Sequence, residues 1–210
     1  MNKNNKKIPS IVIPRLSRYY RVLYEYVQDS WISSKQLSGN TGFSAAQIRR
    51  DLTYFGQFGI PGRGYKVDDL KKSIKNILGL DNKWNVALIG VGNLGRALLG
   101  YRGFIEQGFE IVAAFDVDKS KVGRRINKVQ VYDISEIPHV IKENGISIAI
   151  LTVPENVAQL VAEKAAAAGV KAVLNFASGH LKLPETVKQM HIDITIEIER
   201  LSFLISRDLK

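Results

Sequence analysis

Trp84-Asn85-Val86-Ala87-Leu88-Ile89-Gly90-Val91-Gly92-Asn93-Leu94-Gly95 decides how the longer part of this chain folds. Its first six residues form an apolar, β-compatible run. The pattern G-x-G-x-x-G follows directly, and Leu94, Leu98 and Leu99 then repeat with a helical period. Strand, glycine-rich turn and helix in this order form the dinucleotide-binding fingerprint. Gly90 permits the tight turn, Gly92 lets backbone approach a pyrophosphate, and Gly95 lets helix and strand pack closely. Val91, Asn93 and Leu94 complete the candidate cofactor-binding turn, and the helix start that follows offers unpaired N–H groups and a positive dipole end to phosphate.

Working toward the C-terminus, Glu110 to Phe115 reads as a second strand, with Asp116 at its end, 21 residues after Gly95. A carboxylate there accepts hydrogen bonds from ribose hydroxyls and repels a 2′-phosphate, which favours NAD(H) over NADP(H). Lys119, Lys121, Arg124 and Arg125 stand nearby and oppose that preference. Val129 to Val131 is a brief strand, Ser135 caps a helix to about Asn144, and Ser147 to Val153 is a buried strand ended by Pro154. An alanine-rich helix, Glu155 to Ala168, closes on Gly169, and Ala172 to Phe176 is a further strand. Such alternation predicts a doubly wound parallel sheet with its ligand at the carboxyl ends of the strands, where Thr152, Val153, Pro154 and Ala177-Ser178-Gly179 fall. In the tail, Ile192, Ile194, Ile196 and Ile198 alternate, whereas Ile198, Leu201, Leu204 and Ile205 repeat helically. A short strand and then a helix from about Thr195 is expected, its apolar face docking on a partner subunit.

The N-terminal part reads differently. Residues 1–83 carry 15 Lys/Arg against 6 Asp/Glu, and residues 84–210 carry 15 against 14, so nearly all of the net +10 lies in the first segment. Confined positive charge is the footprint of a phosphate-binding surface. Pro14 to Asp29 is expected to be helical, with Leu16, Tyr20, Leu23 and Val27 as its apolar stripe and Arg15, Arg18 and Arg21 along one side. Ser33-Ser34 starts a short helix, Thr41-Gly42 ends it, and Ser44 caps a helix from Ala45 to Phe55. This is a helix-turn-helix pattern. In its second helix Ile48, Leu52 and Phe55 face a core, whereas Ala46, Gln47, Arg50, Thr53 and Tyr54 face away with Arg49 on the flank. Arg and Gln suit guanine and adenine edges. Gly59-Ile60-Pro61-Gly62-Arg63-Gly64 then reads as a hairpin, the wing of a winged helix, with Arg63 at its tip for the minor groove. The candidate DNA-reading set is therefore Ser44, Gln47, Arg49, Arg50, Tyr54 and Arg63. Asp68-Asp69 cap a last helix to Leu78, and the boundary falls in Gly79 to Lys83.

Composition narrows the chemistry. The chain has no Cys, which excludes disulfides, thiolate nucleophiles and Cys-ligated zinc, and its three His have no metal-like spacing. No apolar run approaches the roughly 18 residues of a membrane span, and the first residues lack a signal-like apolar core. A soluble, cytoplasmic protein is expected.

These segments, with Tyr101-Arg102-Gly103-Phe104, Asn175-Phe176-Ala177 and Arg200-Leu201-Ser202-Phe203, occur in one order. In that order the chain resembles the Rex family of bacterial redox-sensing transcriptional repressors along nearly its whole length. The resemblance implies a winged-helix domain (1–83) that reads a palindromic operator in double-stranded DNA and a Rossmann domain (84–194) that binds NADH or NAD⁺. It also implies a C-terminal helix (195–210) swapped between the subunits of a homodimer, and release from DNA when NADH binds. By the same resemblance Tyr101 lies near the nicotinamide, and Arg21 and Asp193 form a charge pair that differs between the two states. Ser178 stands where many relatives have proline. The residues alone leave other readings open. One is an NAD-dependent dehydrogenase with a basic accessory domain, although only His180 offers itself as an acid or base. The others are a coenzyme A-binding module and a DNA-binding protein whose Rossmann domain is only a dimer scaffold.

Overall fold

The computed structural model describes residues 8–208. The chain forms two compact units, Met1–Asn82 and Lys83–Lys210.

In the first unit the elements run α1 (Val12–Leu23), β1 (Trp31–Ile32), α2 (Ser34–Thr41), α3 (Ala45–Thr53), β2 (Gly59–Ile60), β3 (Gly64–Lys66) and α4 (Val67–Ile77). Helix α2 starts on a capping box. The Ser33 hydroxyl accepts from the Gln36 N–H at 3.1 Å, and the Gln36 side chain accepts from the Ser33 N–H at 2.8 Å. It ends on Gly42 at φ +74°, and Ser44 caps α3 by accepting from the Gln47 N–H. A small antiparallel sheet, ordered β1-β3-β2, carries the wing. Leu16, Tyr19, Leu23, Ile48, Leu52 and Ile74 form the heart of its core.

Two expectations need correction here. The first helix stops at Leu23 and not at Asp29, because the chain reverses through Asp29 at φ +59° to enter β1, which leaves Val27 78% exposed. Asp68 and Asp69 do not cap α4 but lie inside its first turn. The Asp68 carboxylate instead accepts from the Asp29 N–H at 2.7 Å, holding that reversal.

A buried carboxylate joins α1 to α3. Asp51 is fully buried and accepts from Arg15 twice (2.6 and 2.8 Å), from the Tyr19 hydroxyl (2.7 Å) and from the Gln47 amide (2.7 Å). Four donors fill its acceptor sites. Burial pushes the carboxyl pKa up, but the bonds from Arg15, Tyr19 and Gln47 outweigh it and hold the group below the usual carboxylate range.

The second unit runs β4 (Trp84–Ile89), α5 (Asn93–Leu99), α6 (Gly103–Glu106), β5 (Phe109–Asp116), β6 (Arg125–Ile126), β7 (Val129–Asp133), a 3₁₀ turn (Ile134–Glu136) and α7 (Ile137–Glu143). It continues with β8 (Ile148–Leu151), α8 (Glu155–Ala167), β9 (Ala172–Asn175), β10 (Lys188–His191) and α9 (Ile194–Asp208). The sheet order is β10-β9-β8-β4-β5-β7-β6, parallel except for β6, which pairs antiparallel with β7. Strand side chains alternate between two cores. Ala87, Ile89 and Phe115 pack with Ile137, Val140, Val161 and Ala165 of α7 and α8. On the other face Val86, Leu88 and Ala114 pack with Leu98 and Phe104. The strand order reverses between β4's neighbours β5 and β8, the switch point at which Rossmann folds bind ligands. The architecture is α/β, a winged helix-turn-helix followed by a Rossmann-like sheet.

Three local readings differ. The hairpin β6–β7 turns through Asn127 (φ +48°) and Lys128 (φ +72°) without a glycine, so no turn signal announces it. Asp133, not Ser135, caps the turn into α7, in a capping box with Glu136. In the tail the strand is Lys188–His191, upstream of the isoleucine alternation, and the helix absorbs most of that run.

Because the folded Asp51 pKa lies below the unfolded one, its stabilisation is complete above the unfolded carboxylate range and is lost as pH falls through the folded value. Asp51→Ala should destabilise the first unit by about 3–5 kcal/mol, since it strands the Arg15 charge. Urea unfolding should show this gap at neutral pH and a narrowing gap below about pH 4. A gap independent of pH would mean that the carboxylate charge contributes nothing.

Candidate nucleotide cleft and nucleic-acid interface

The glycine-rich turn is built by close approach. Gly90 sits at φ +100°, and a Cβ there would meet the Thr152 carbonyl at 2.7 Å. A Cβ on Gly95 would collide with the Gly90 carbonyl oxygen and lie 3.1 Å from Thr152 Oγ1. The Thr152 hydroxyl donates to that same Gly90 carbonyl at 2.6 Å, locking the end of β4 to the end of β8. At Gly92, by contrast, a Cβ would meet no atom within 4 Å. Packing therefore explains Gly90 and Gly95, and leaves Gly92 to be explained by ligand approach. No side chain caps α5, so its first N–H groups stay available to an acceptor.

These elements border an open cleft of about 400 Å³. Gly90, Val91 and Gly92 form one wall, Asp116 and Lys121 one end, Thr152 to Pro154 another side, and Val117, Ile134, Val157 and Leu160 an apolar surface. The structure thus brings together Gly90, Val91, Gly92, Asp116, Thr152 and Pro154. Asn93 and Leu94 are exposed on the first turn of α5, and Gly95 is buried beneath it. Tyr101 does not border this cleft. It is 58% exposed, packs edge-to-face on Phe104 at 5.1 Å, and lies beside a separate groove with Ile105 and Val129. Ile134, Val157 and Leu160 were missed by sequence reasoning. The available signal was the i, i+3 apolar pair Val157 and Leu160, left 36% and 51% exposed on α8.

Asp116 is only 8% exposed, and its oxygens are engaged. One accepts from the Val91 N–H at 2.7 Å and from Lys121 Nζ at 3.2 Å, the other from the Asp118 N–H at 2.9 Å. Burial raises its pKa, and the backbone donors of Asp118 and Val91, followed by Lys121, bring it below the usual range. Asp118 is lowered to about 2 by the Ser120 hydroxyl and N–H, and then by Lys121. Both carboxylates are ionised at neutral pH.

In the first unit, Arg50 is exposed on α3, and its side chain makes no hydrogen bond or ion pair among the described residues. Arg49 donates to the Ser34 hydroxyl at 2.8 Å, bracing α3 on α2. Gln47 is turned inward. An amide oxygen cannot face the saturated Asp51 carboxylate, so its N–H₂ must. Tyr54 is half-buried against the core and Ser44 is an exposed cap. Arg63 at the wing tip lies over the Trp31 ring, 3.8 Å from its centroid, a cation–π contact that pre-orients it. Arg49 and Arg63 both border an open cleft of about 420 Å³ between α3 and the wing. Arg15 is no solvated surface charge, since Asp51 holds it. Arg21 is exposed in the last turn of α1, and Asp193 accepts from the Thr195 N–H at 2.9 Å at the start of α9.

Among the described residues no cluster of His, Asp or Glu could hold a metal, and no helix is long and apolar enough to cross a membrane.

Comparison with known proteins finds matches on both units. Residues 7–53 match a family described as "Putative DNA-binding protein N-terminus", and residues 81–179 match one described as "CoA binding domain". The redox-sensing transcriptional repressor Rex of Carboxydothermus hydrogenoformans is 44% identical over 204 residues, covering 96% of this chain and 98% of the relative. This chain belongs to the Rex family. Rex of Thermosipho africanus is 40% identical over 207 residues, covering 98% and 99%. A crystal structure of RSP, a Rex-family repressor, in complex with β-NAD⁺ and operator DNA superimposes with a TM-score of 0.89 at 38% identity, covering 97% of this chain and 95% of that one. The complex of RSP with β-NADH gives 0.86 at 35% identity, covering 97% of each chain. These Rex relatives are named as transcriptional repressors and not as enzymes, so the dehydrogenase alternative falls. The coenzyme A description covers only the Rossmann-like segment, whereas the Rex matches span both units.

The two glycines behave differently under substitution. Gly95→Ala should lower the stability of the second unit by about 1–3 kcal/mol through overpacking on the Gly90 carbonyl. Gly92→Ala should melt within a degree or two of wild type, since open space receives its methyl. Equal melting temperatures for the two variants would refute the close-approach account.

Proposed function

We propose that this chain is a cytoplasmic, homodimeric repressor that binds operator DNA and is released when NADH binds, so that it reports the NADH/NAD⁺ ratio. The observation that carries this reading is likeness across both units at once to a repressor crystallised with β-NAD⁺ and operator DNA. On this reading residues 1–83 bind DNA, 84–194 bind NAD(H) and 195–210 form the dimerisation helix.

In the first unit, Arg50 is the base-reading side chain and Arg63 enters the minor groove. Arg49 and Ser44 contact the backbone, and Tyr54 braces α3. Gln47 enters this set through its remaining amide atoms, one N–H being committed to Asp51. In the second unit, the turn from Gly90 to Gly95 receives the pyrophosphate, Asp116 the ribose, and Thr152 and Pro154 the nicotinamide side of the cleft, with Tyr101 reaching that end in one state of the dimer. Seven apolar residues of α9 are 49–61% exposed, Ile194 and Phe203 among them, and partner burial accounts for so much apolar surface on one helix. Arg21 and Asp193 form the charge pair that distinguishes the states. NADH can shift the equilibrium only by its differential affinity for those states. A coupling of about 1–3 kcal/mol changes operator affinity some 5- to 150-fold.

The deciding experiment is binding to a labelled palindromic operator, titrated with NADH and with NAD⁺ at fixed salt, because phosphate contacts make affinity steeply salt-dependent. Release by NADH and not by NAD⁺ supports the sensor. Tight binding indifferent to both leaves a DNA-binding protein with a scaffold domain. Gly92→Trp should abolish the NADH response while preserving operator binding, and an unchanged response excludes this cleft as the sensor. Arg50→Ala should cut discrimination between operator and random DNA by about 1–3 kcal/mol. An equal loss on both sequences reassigns Arg50 to phosphate.

A further inference from the structure

Among the described residues bordering the nucleotide cleft, Lys121 is the one cation. Its ammonium lies 3.2 Å from Asp116 Oδ2 and 3.3 Å from Asp118 Oδ2, and its side chain is 19% exposed. The neighbouring Lys119 is turned away to Asp133 at 2.6 Å, with its side chain 82% exposed. Arg124 and Arg125 are exposed and do not border the cleft.

Lys121 is not what orients Asp116. The N–H groups of Val91 and Asp118 already grip both carboxylate oxygens, at 2.7 and 2.9 Å. What Lys121 does is place a point charge with three donors beside the group that reads the ribose. A lysine in that position has two partners to choose between, the Asp116 carboxylate and a phosphate on the ribose. While Asp116 is ionised it holds the ammonium and contributes its own repulsion to such a phosphate. Once that charge is removed, the one carboxylate oxygen left on Lys121 is Asp118 Oδ2 at 3.3 Å, since Ser120 binds the other oxygen, and a ribose phosphate competes with that single contact instead of with two.

We propose that Lys121 is a second selectivity determinant of the cleft, a latent ligand for the 2′-phosphate of NADPH that Asp116 keeps occupied. Discrimination against NADPH then comes from the Asp116–Lys121 pair and not from the carboxylate alone. This inference rests on the reading of the cleft as a dinucleotide site.

The test is a double-mutant cycle on the full-length chain, with NADH and NADPH binding followed by nicotinamide fluorescence and folding by thermal melts. Asp116→Asn removes the charge and keeps one acceptor oxygen, for the Val91 or the Asp118 N–H but not both, so the melts report the cost of the lost bond. It should shift the NADPH-to-NADH affinity ratio toward NADPH by about tenfold or more, as expected for one unit charge at partly screened contact distance. Adding Lys121→Met should abolish that gain. Lys121→Gln serves as the second neutral variant if Met lowers the melting temperature. The inference is overturned if the gain survives in the double variant, or if Asp116→Asn leaves the ratio unchanged while NADH still binds. Failure of the wild-type chain to bind either nucleotide would remove the dinucleotide reading itself, and this inference with it.

Discussion

The approach of three backbone segments at the top of the parallel sheet governs the second unit. Gly90, Gly95 and Thr152 meet so closely that none of the two glycines' neighbours leaves room for a Cβ, and the Thr152 hydroxyl closes the contact by bonding the Gly90 carbonyl. This contact ends β4 and β8 at one level and starts α5 directly over the sheet. Asp116 completes the arrangement by accepting from the Val91 N–H. The cleft exists because the sheet changes direction here, and its rigidity comes from bonds that no ligand has to supply. A ligand therefore meets a site whose polar groups are already ordered.

The first unit solves a different problem with a similar device. A helix that reads DNA must keep its outward face polar, so little apolar surface remains to anchor it. Ile48 and Leu52 supply one stripe, and the buried Asp51 supplies the rest by gathering donors from Arg15, Tyr19 and Gln47. The consequence reaches function. Gln47 spends one amide N–H on the clamp and Arg49 is bonded to Ser34, while Arg50 stays free of side-chain partners among the described residues. Of Gln47, Arg49 and Arg50, the tertiary contacts leave only Arg50 uncommitted, which is what its proposed base-reading role requires.

A buried carboxylate that gathers several donors recurs in both units. Asp51 is satisfied from one neighbouring helix and its own, Asp116 from two loops and a lysine. In each case hydrogen bonds offset the cost of burial, which keeps the carboxylates ionised at neutral pH. Membership of the Rex family gives these devices a shared context, since a regulator needs stable end states whose difference a ligand can shift.

Much of this was legible from the amino-acid sequence because the signals are local. The glycine turn, the strand before it, the capping serines 33 and 44 and the Gly42 stop are dictated by neighbours within a few residues, where period and turn chemistry are decisive. The hairpin through Asn127 and Lys128 has no local signal because its positive φ values are borne by residues that carry no turn signature, and the reversal through Asp29 that follows α1 is held by Asp68, 39 residues away. That Arg15 is held in an ion pair and Gln47 is turned inward is not local information. Their partner, Asp51, is 36 residues from Arg15, and which side chains share a buried carboxylate is settled only when helices pack. The sequence by itself determined the fold class, the two units' charge and the residues at the ends of the strands. Tertiary structure alone decided which of those residues are already committed and which are left to meet a ligand, because burial and hydrogen-bond satisfaction depend on neighbours distant along the chain.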